Sequence, residues 1–320
     1  MALVSSTELT ADQSEKLQLL IDALPTILTE LDKPTYDEIF GHRIGIEGTP
    51  YVEVAIRNEI LLKFLVASEY DLALAKEKLV LTMNWRGKFN VLSAAYVEDF
   101  DAELEKMGIV TEFPGNKDNF RVVTWNFYNN VKLTKSWFVG FKAEEAAGTQ
   151  QEPNGSPGLQ FLRWRIGLME RSLALLEFSD SDNTKMAQVH DYKGASIFRI
   201  DSDMKAATKE IIKLFSDHYP ELLSKKFFIN VPLIMGWVFG FFRAMGIISA
   251  STLKRFEVMH HGDVSGLFGE DNLPAVYNGG LENRKVPDIF SKTVKKEAIA
   301  LPTYAKVLLQ QQGKIEGAAV

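Results

Sequence analysis

The stretch that decides the fold runs from Met186 to Val231. It reads MAQVHDY at 186–192, MKAATKEIIKLF at 204–215 and KFFINV at 226–231. The first and third pieces are short and rich in β-formers, and the middle one has a helical period. Working outward, FRVVTWNFY at 120–128 is a further strand, and residues 159–177 form a long helical pattern. PLIMGWVFGFFRAM at 232–245 reads as a helix with proline at its start, a short helix spans 250–255, and a last strand covers 256–259. Strands that alternate with helices predict an α/β fold whose sheet has a parallel part.

Upstream, SEKLQLLIDALPTILTELDK has apolar residues at helical spacing, interrupted at Pro25. Two or three helices follow between Val54 and Phe89. The resulting division is an N-terminal helical domain at 1–110, an α/β ligand-binding domain at 111–288 and a tail at 289–320. The tail is charged and polar, with one helical pattern near Tyr304 to Gln311, and is expected to wrap the surface.

In the strand 186–192, His190 and Tyr192 are two apart, so both side chains point to one face while Asp191 points to the other. A phenolate is a hard anionic ligand that suits ferric iron, and tyrosine is a known haem ligand. A neighbouring histidine can hydrogen-bond that phenolate or take its proton. The same pair also reads as two ordinary half-buried strand residues. Arg165 in RWRIG and Lys226 in SKKFF flank core segments. Each is either a buried cation that requires an anion or a surface cation lying over an apolar stem. Tyr128 closes the strand TWNFY, facing either the same pocket or the core. The helix 232–245 is apolar nearly all round, as suits a buried helix or one at a membrane interface.

Composition narrows the function classes. The chain has 320 residues, 46% hydrophobic and 24% charged, with a net charge of −6. That balance opposes general nucleic-acid binding. With no cysteine, disulfides, zinc–thiolate sites, Fe–S clusters and thiol catalysis are excluded. There is no phosphate-binding loop, dinucleotide fingerprint or nucleophile elbow, and the adjacent His260 and His261 cannot share a strand face. The polar N-terminus does not read as a signal peptide, and no segment reads as a transmembrane span.

Three stretches together resemble the CRAL-TRIO lipid-transfer family. They are ILLKFLVASEYDLALAKEKLVLTMNWR at 60–86, HYPELLSKKFFINVP at 218–232 and LPAVYNGG at 273–280, in the family's order. VTWNFY, RWRIGLMERSLALLEF, QVHDYKGAS, RIDSDMK and FFINVP are similar to the atypical fungal branch that transfers phosphatidylinositol and also binds haem.

The resemblance implies an α/β CRAL-TRIO fold with a small all-helical N-terminal domain and a mixed, mostly parallel sheet flooring a hydrophobic pocket. It implies haem b, with ferric iron on Tyr192, His190 in support, and Tyr128, Arg165 and Lys226 as pocket contacts. It implies a non-enzymatic carrier of phosphatidylinositol or another phospholipid. Membrane contact would come through the helix 232–245, in the cytoplasm and at the endoplasmic reticulum, with links to phosphoinositide homeostasis and oxidative stress. A carrier of lipid alone and a haem peroxidase are the alternatives. Ser251 and Lys254 match the family's phosphate contact, whereas Leu222 stands where the family has arginine and Asn278 is inserted in the LPxxYGG turn. Of the basic letters in the family's LLRFLRAR, Lys63 remains.

Overall fold

The computed structural model describes residues 3–128, 137–142, 157–195, 202–233 and 253–316. Its first helix, α1 (Ala11–Asp22), starts from a reciprocal cap in which Thr10 accepts from the Gln13 amide and Gln13 from that of Thr10. The chain breaks before Pro25 and resumes as α2 (Leu24–Thr29). A hairpin of two-residue strands follows, β1 (Glu38–Ile39) and β2 (His42–Arg43), so the N-terminal part is not purely helical. Next come α3 (Val54–Val66), α4 (Leu72–Phe89), α5 (Val91–Tyr96) and the short α6 (Ala102–Glu105). Asp71 caps the start of α4, and Asn90, in the left-handed conformation at φ 61°, ends it.

The sheet is made of β3 (Gly108–Glu112), β4 (Val122–Phe127), β5 (Met186–Asp191), β6 (Leu223–Ile229) and β7 (Phe256–Val258), in that spatial order. Only β3–β4 is antiparallel; the other pairs are parallel. β5 is central and buried along its whole length, as a parallel strand covered on both faces must be. Its register sets Asn126 beside His190 and His190 beside Phe228.

Two helices, α7 (Pro157–Leu173) and α8 (Ser202–His218), lie on the sheet side of the N-terminal helices and share one hydrophobic core with them. Gly167 lets α7 approach α5, because a Cβ there would collide with the Ala94 carbonyl. The opposite face carries Val123, Trp125, Val189 and Phe227, packed against Phe268, Tyr277 and Phe290.

The tail does more than wrap the surface. Val294 donates to the Val110 carbonyl and Glu112 to that of Lys292, so residues near 293 run against the edge of β3. The last helix, α9 (Thr303–Gln311), buries Tyr304, Val307, Leu308 and Leu309 in the main core. Unpaired edge amides and an apolar helix face both favour docking over exposure. Most of the stretch 232–245 lies outside the described residues. No described helix is long and apolar enough to cross a membrane.

The candidate ligand pocket

Between the sheet and the helices α7 and α8 lies a cavity of about 440 Å³, within the range of small-ligand sites. Tyr128, Arg165, His190, Tyr192 and Lys226, each singled out by the sequence, line it together. The strand period explains His190 and Tyr192: with Gln188 they occupy one face of β5, while Ala187, Val189 and Asp191 face away. Helix geometry explains Arg165. Residues two apart on a helix are separated by about 200°, so Arg163 turns away to Glu98 and the Phe89 carbonyl while Arg165 faces the cavity.

The polar groups of this pocket are under-partnered. The Tyr128 hydroxyl lies 2.7 Å from His190 Nδ1, and its ring centroid is 4.9 Å from that of Tyr192. His190 Nε2 and Arg165 Nη1 are buried without a hydrogen-bond partner. Buried groups of this kind normally find partners, so two in one cavity mark where a ligand's polar atoms fit. The Arg165 guanidinium lies 5.3 Å from the Phe215 ring, and Lys226 Nζ lies 5.5 Å and 5.6 Å from the rings of Phe228 and Phe256.

Burial governs the titration of all five groups. It pushes the Lys226 amine down to about 7, aided by Arg165. It brings Arg165 to about 10, against the pull of Tyr128. Burial, then Lys226 and Arg165, hold His190 well below its ordinary value, so the ring is neutral at pH 7. Desolvation raises both phenols, with Tyr128 adding to the rise at Tyr192. Because Tyr128 keeps its proton it donates to His190 Nδ1, which leaves the ring proton on Nε2, turned to the cavity.

On the back of β5, Asp191 is clamped. Tyr277 donates to Oδ2 at 2.8 Å, and Asn230 and the Lys193 amide donate to Oδ1 at 2.7 and 2.8 Å. This clamp fixes the strand end from which Tyr192 projects. Sequence reasoning missed it, although an aspartate whose neighbours on both sides face a pocket was the available signal.

At another part of the cavity wall Glu221 accepts from Arg255 at 2.6 Å and Lys185 at 3.2 Å. Leu222 is buried and lines the cavity, in the place of the expected arginine. Lys254 is exposed and does not line it; the neighbouring Arg255 does. Ser251 lies outside the described residues. Lys63, the remaining family cation, donates instead to the carbonyls of Thr184 at 2.9 Å and Glu221 at 3.3 Å.

The site suits a large, partly apolar, anionic ligand: aromatic and aliphatic walls, two cations without carboxylate partners among the described residues, and a phenol–imidazole–phenol group. A haem with two carboxylates fits this donor set, since His190 Nε2 and Arg165 Nη1 are orphaned and two tyrosines adjoin them. Among the described residues no group of three His, Asp or Glu side chains could hold a metal ion.

Comparison with known proteins agrees with this architecture. Residues 128–279 match the CRAL/TRIO domain. The chain is 52% identical over 310 residues to the phosphatidylinositol transfer protein SFH5 of Debaryomyces hansenii, covering 96% of this chain and 88% of that one. It is 49% identical over 315 residues to the SFH5 protein of Candida albicans, with 98% and 94% coverage. The crystal structure of Sfh5 superposes with a TM-score of 0.79 at 31% identity, covering 96% of this chain and 98% of that one. Sheet order, pocket and sequence therefore agree that the chain belongs to the CRAL/TRIO family, together with the fungal proteins named SFH5.

Proposed function

We propose that this protein is a carrier that encloses either a phospholipid, phosphatidylinositol first among them, or haem b in the cavity beneath α7 and α8, and that it is not an enzyme. The lipid half is supported by its SFH5 relatives, which are named phosphatidylinositol transfer proteins. The haem half is carried by one observation: Arg165 and Lys226 face the cavity with no anionic partner among the described residues, beside Tyr192 and the unpartnered nitrogen of His190.

In this reading Tyr192 would hold ferric iron, and the iron would supply the Lewis acidity that favours the phenolate form of a buried phenol. The protein's own groups prepare for that change. Burial holds Tyr192 protonated in the free pocket, so the site does not keep a naked anion ready. Arg165 lowers the cost of ionising Tyr128, and with Lys226 it would favour carboxylates placed nearby. Tyr128 fixes the ring of His190 and its tautomer through their hydrogen bond. The apolar walls exclude water and contact either a porphyrin or acyl chains, at about 0.8 kcal/mol for each buried CH₂. One cavity of this size holds one of the two ligands at a time. We place membrane contact in the stretch 232–245, where apolar and aromatic residues predominate.

An absorption spectrum of the purified protein, with and without added haemin, tests the haem reading. A Soret band that Tyr192→Phe abolishes or moves strongly is expected. A protein that stays colourless after haemin while moving phosphatidylinositol between vesicles would leave the lipid carrier alone standing.

A further inference from the structure

We infer that Lys226 is a covalent capture site for long-chain aldehydes, which the pocket would hold as an imine. Three features of its placement carry this. First, the amine projects from β6 into the ligand cavity and lines it together with Phe228, Phe256 and Phe215. Second, among the described residues no carboxylate pairs with it. The acidic residues among the described lining are Glu69 and Glu221; Glu221 is engaged by Arg255 and Lys185, and neither forms an ion pair with Lys226. The charged or titratable groups facing it are Arg165 from α7, His190 and Tyr192 from β5, Tyr128 after β4 and Arg255 before β7. Third, the wall has room for an alkyl tail, since Phe161, Met169, Met204 and Ile211 line the same cavity.

Lys63 shows that burial alone does not make such a site. It too is buried and pushed down to about 7, mainly by burial. Its ammonium, however, is tied to two backbone carbonyls and is absent from the cavity lining. Among the described residues Lys226 has no acceptor of that kind, which leaves its lone pair open to attack. Burial brings its amine to about 7, with Arg165 adding to the effect. About half is then the free base at neutral pH, against roughly 0.04% of an ordinary lysine. Buried lysines of this type are the usual Schiff-base formers.

The step balances without a co-reactant. The amine nitrogen forms a bond to the carbonyl carbon, both amine hydrogens leave with the carbonyl oxygen as one water, and a carbon–nitrogen double bond remains. The inference rests on the cavity and not on iron, so it stands or falls separately from the haem reading.

The test incubates the full-length, ligand-free protein at pH 7 with hexadecanal and sodium cyanoborohydride, which delivers hydride to the imine carbon and makes the adduct permanent. Intact mass should show one adduct, heavier than the protein by the aldehyde less its oxygen. Peptide mapping of the unaltered chain should place it on Lys226, labelled at least ~10-fold faster than any other lysine. Lys226→Arg keeps the cation and should lose that adduct. No adduct, label spread evenly over surface lysines, or unchanged labelling of Lys226→Arg would each overturn the inference. The mapping needs no variant, so a folding defect in Lys226→Arg would not obscure the result.

Discussion

Arg86 and Arg165 are both buried arginines on helices of the main core, and they are treated in opposite ways. Arg86, on α4, is gripped by two carboxylates: Glu38 at 2.6 and 3.0 Å and Glu170 at 2.7 and 2.9 Å. Tyr36 and Tyr219 donate to the same carboxylates. Burial alone would lower its affinity for protons, but Glu170 and Glu38 outweigh that and raise it well above the ordinary value. Arg165, one turn or so from Glu170 on the same α7, pairs with no carboxylate among the described residues. The first arrangement is complete without a ligand and joins the N-terminal hairpin, α4 and α7. In the function proposed above, the second is completed by an anionic ligand. The contrast is between a cation that holds the fold together and one proposed to meet the ligand.

The sharpest way to break that contrast is Arg86→Met. It strands two buried carboxylates, and removing one partner of a buried ion cluster costs about 3–5 kcal/mol. Urea unfolding should show that loss. A loss below about 1 kcal/mol would reduce the cluster to the standing of a surface pair. The matching change Arg165→Met should leave the ligand-free protein equally stable or up to ~3 kcal/mol more stable, since it removes an uncompensated buried charge. The lost contact with Phe215 offsets part of the gain. If Arg165→Met cost as much as Arg86→Met, Arg165 would belong to the fold.

The pH dependence of stability sharpens the same point with a smaller effect. Native Lys226 gives up its proton near 7, whereas the unfolded chain keeps it to about 10.4. Between those values the unfolded state binds more protons, so stability rises with pH. The ligand-free protein should therefore gain stability from pH 7 to 9.5, and Lys226→Met should flatten the slope, leaving the share of Lys63. An equal slope in the variant would mean that Lys226 titrates normally.

How much of this was legible in the sequence depended on range. The period of two placed His190 and Tyr192 on one face and Asp191 on the other, and the structure keeps that arrangement. The parallel part of the sheet followed from strands alternating with helices, and its mixed, mostly parallel make-up from the family resemblance. β3 did not, because GIVTE follows the helical AELEKM and gains its strand character from β4 and from the tail around Thr293. The hairpin β1–β2 turns on Phe40 and Gly41, both at positive φ, and phenylalanine gives no turn signal. The Arg86 cluster unites positions 38, 86, 170 and 219, and nothing local announces it. RWRIG showed two arginines, but the partners that divide their roles, Glu98 and the cavity, lie elsewhere in the chain.

The smallest expected effect lies at the back of the site. Tyr277→Phe removes one donor to Asp191 Oδ2, while Asn230 and the Lys193 amide still hold Oδ1. The ring should stay where it is, since it stacks on Phe290 with centroids 5.6 Å apart and rests against Trp125 at 5.3 Å. What remains is a half-satisfied buried carboxylate, at a cost of about 1–2 kcal/mol. Stability alone would not distinguish this from any other lost hydrogen bond, so the informative reading is on the other face of the strand. If the clamp sets the direction of Tyr192, ligand spectra or lipid transfer should change in Tyr277→Phe beyond what the stability loss explains, and Asn230→Ala should change them in the same sense. If both variants lose stability and leave the ligand face untouched, the pleat of β5 is fixed by its neighbours β4 and β6, and Asp191 serves the fold and not the pocket.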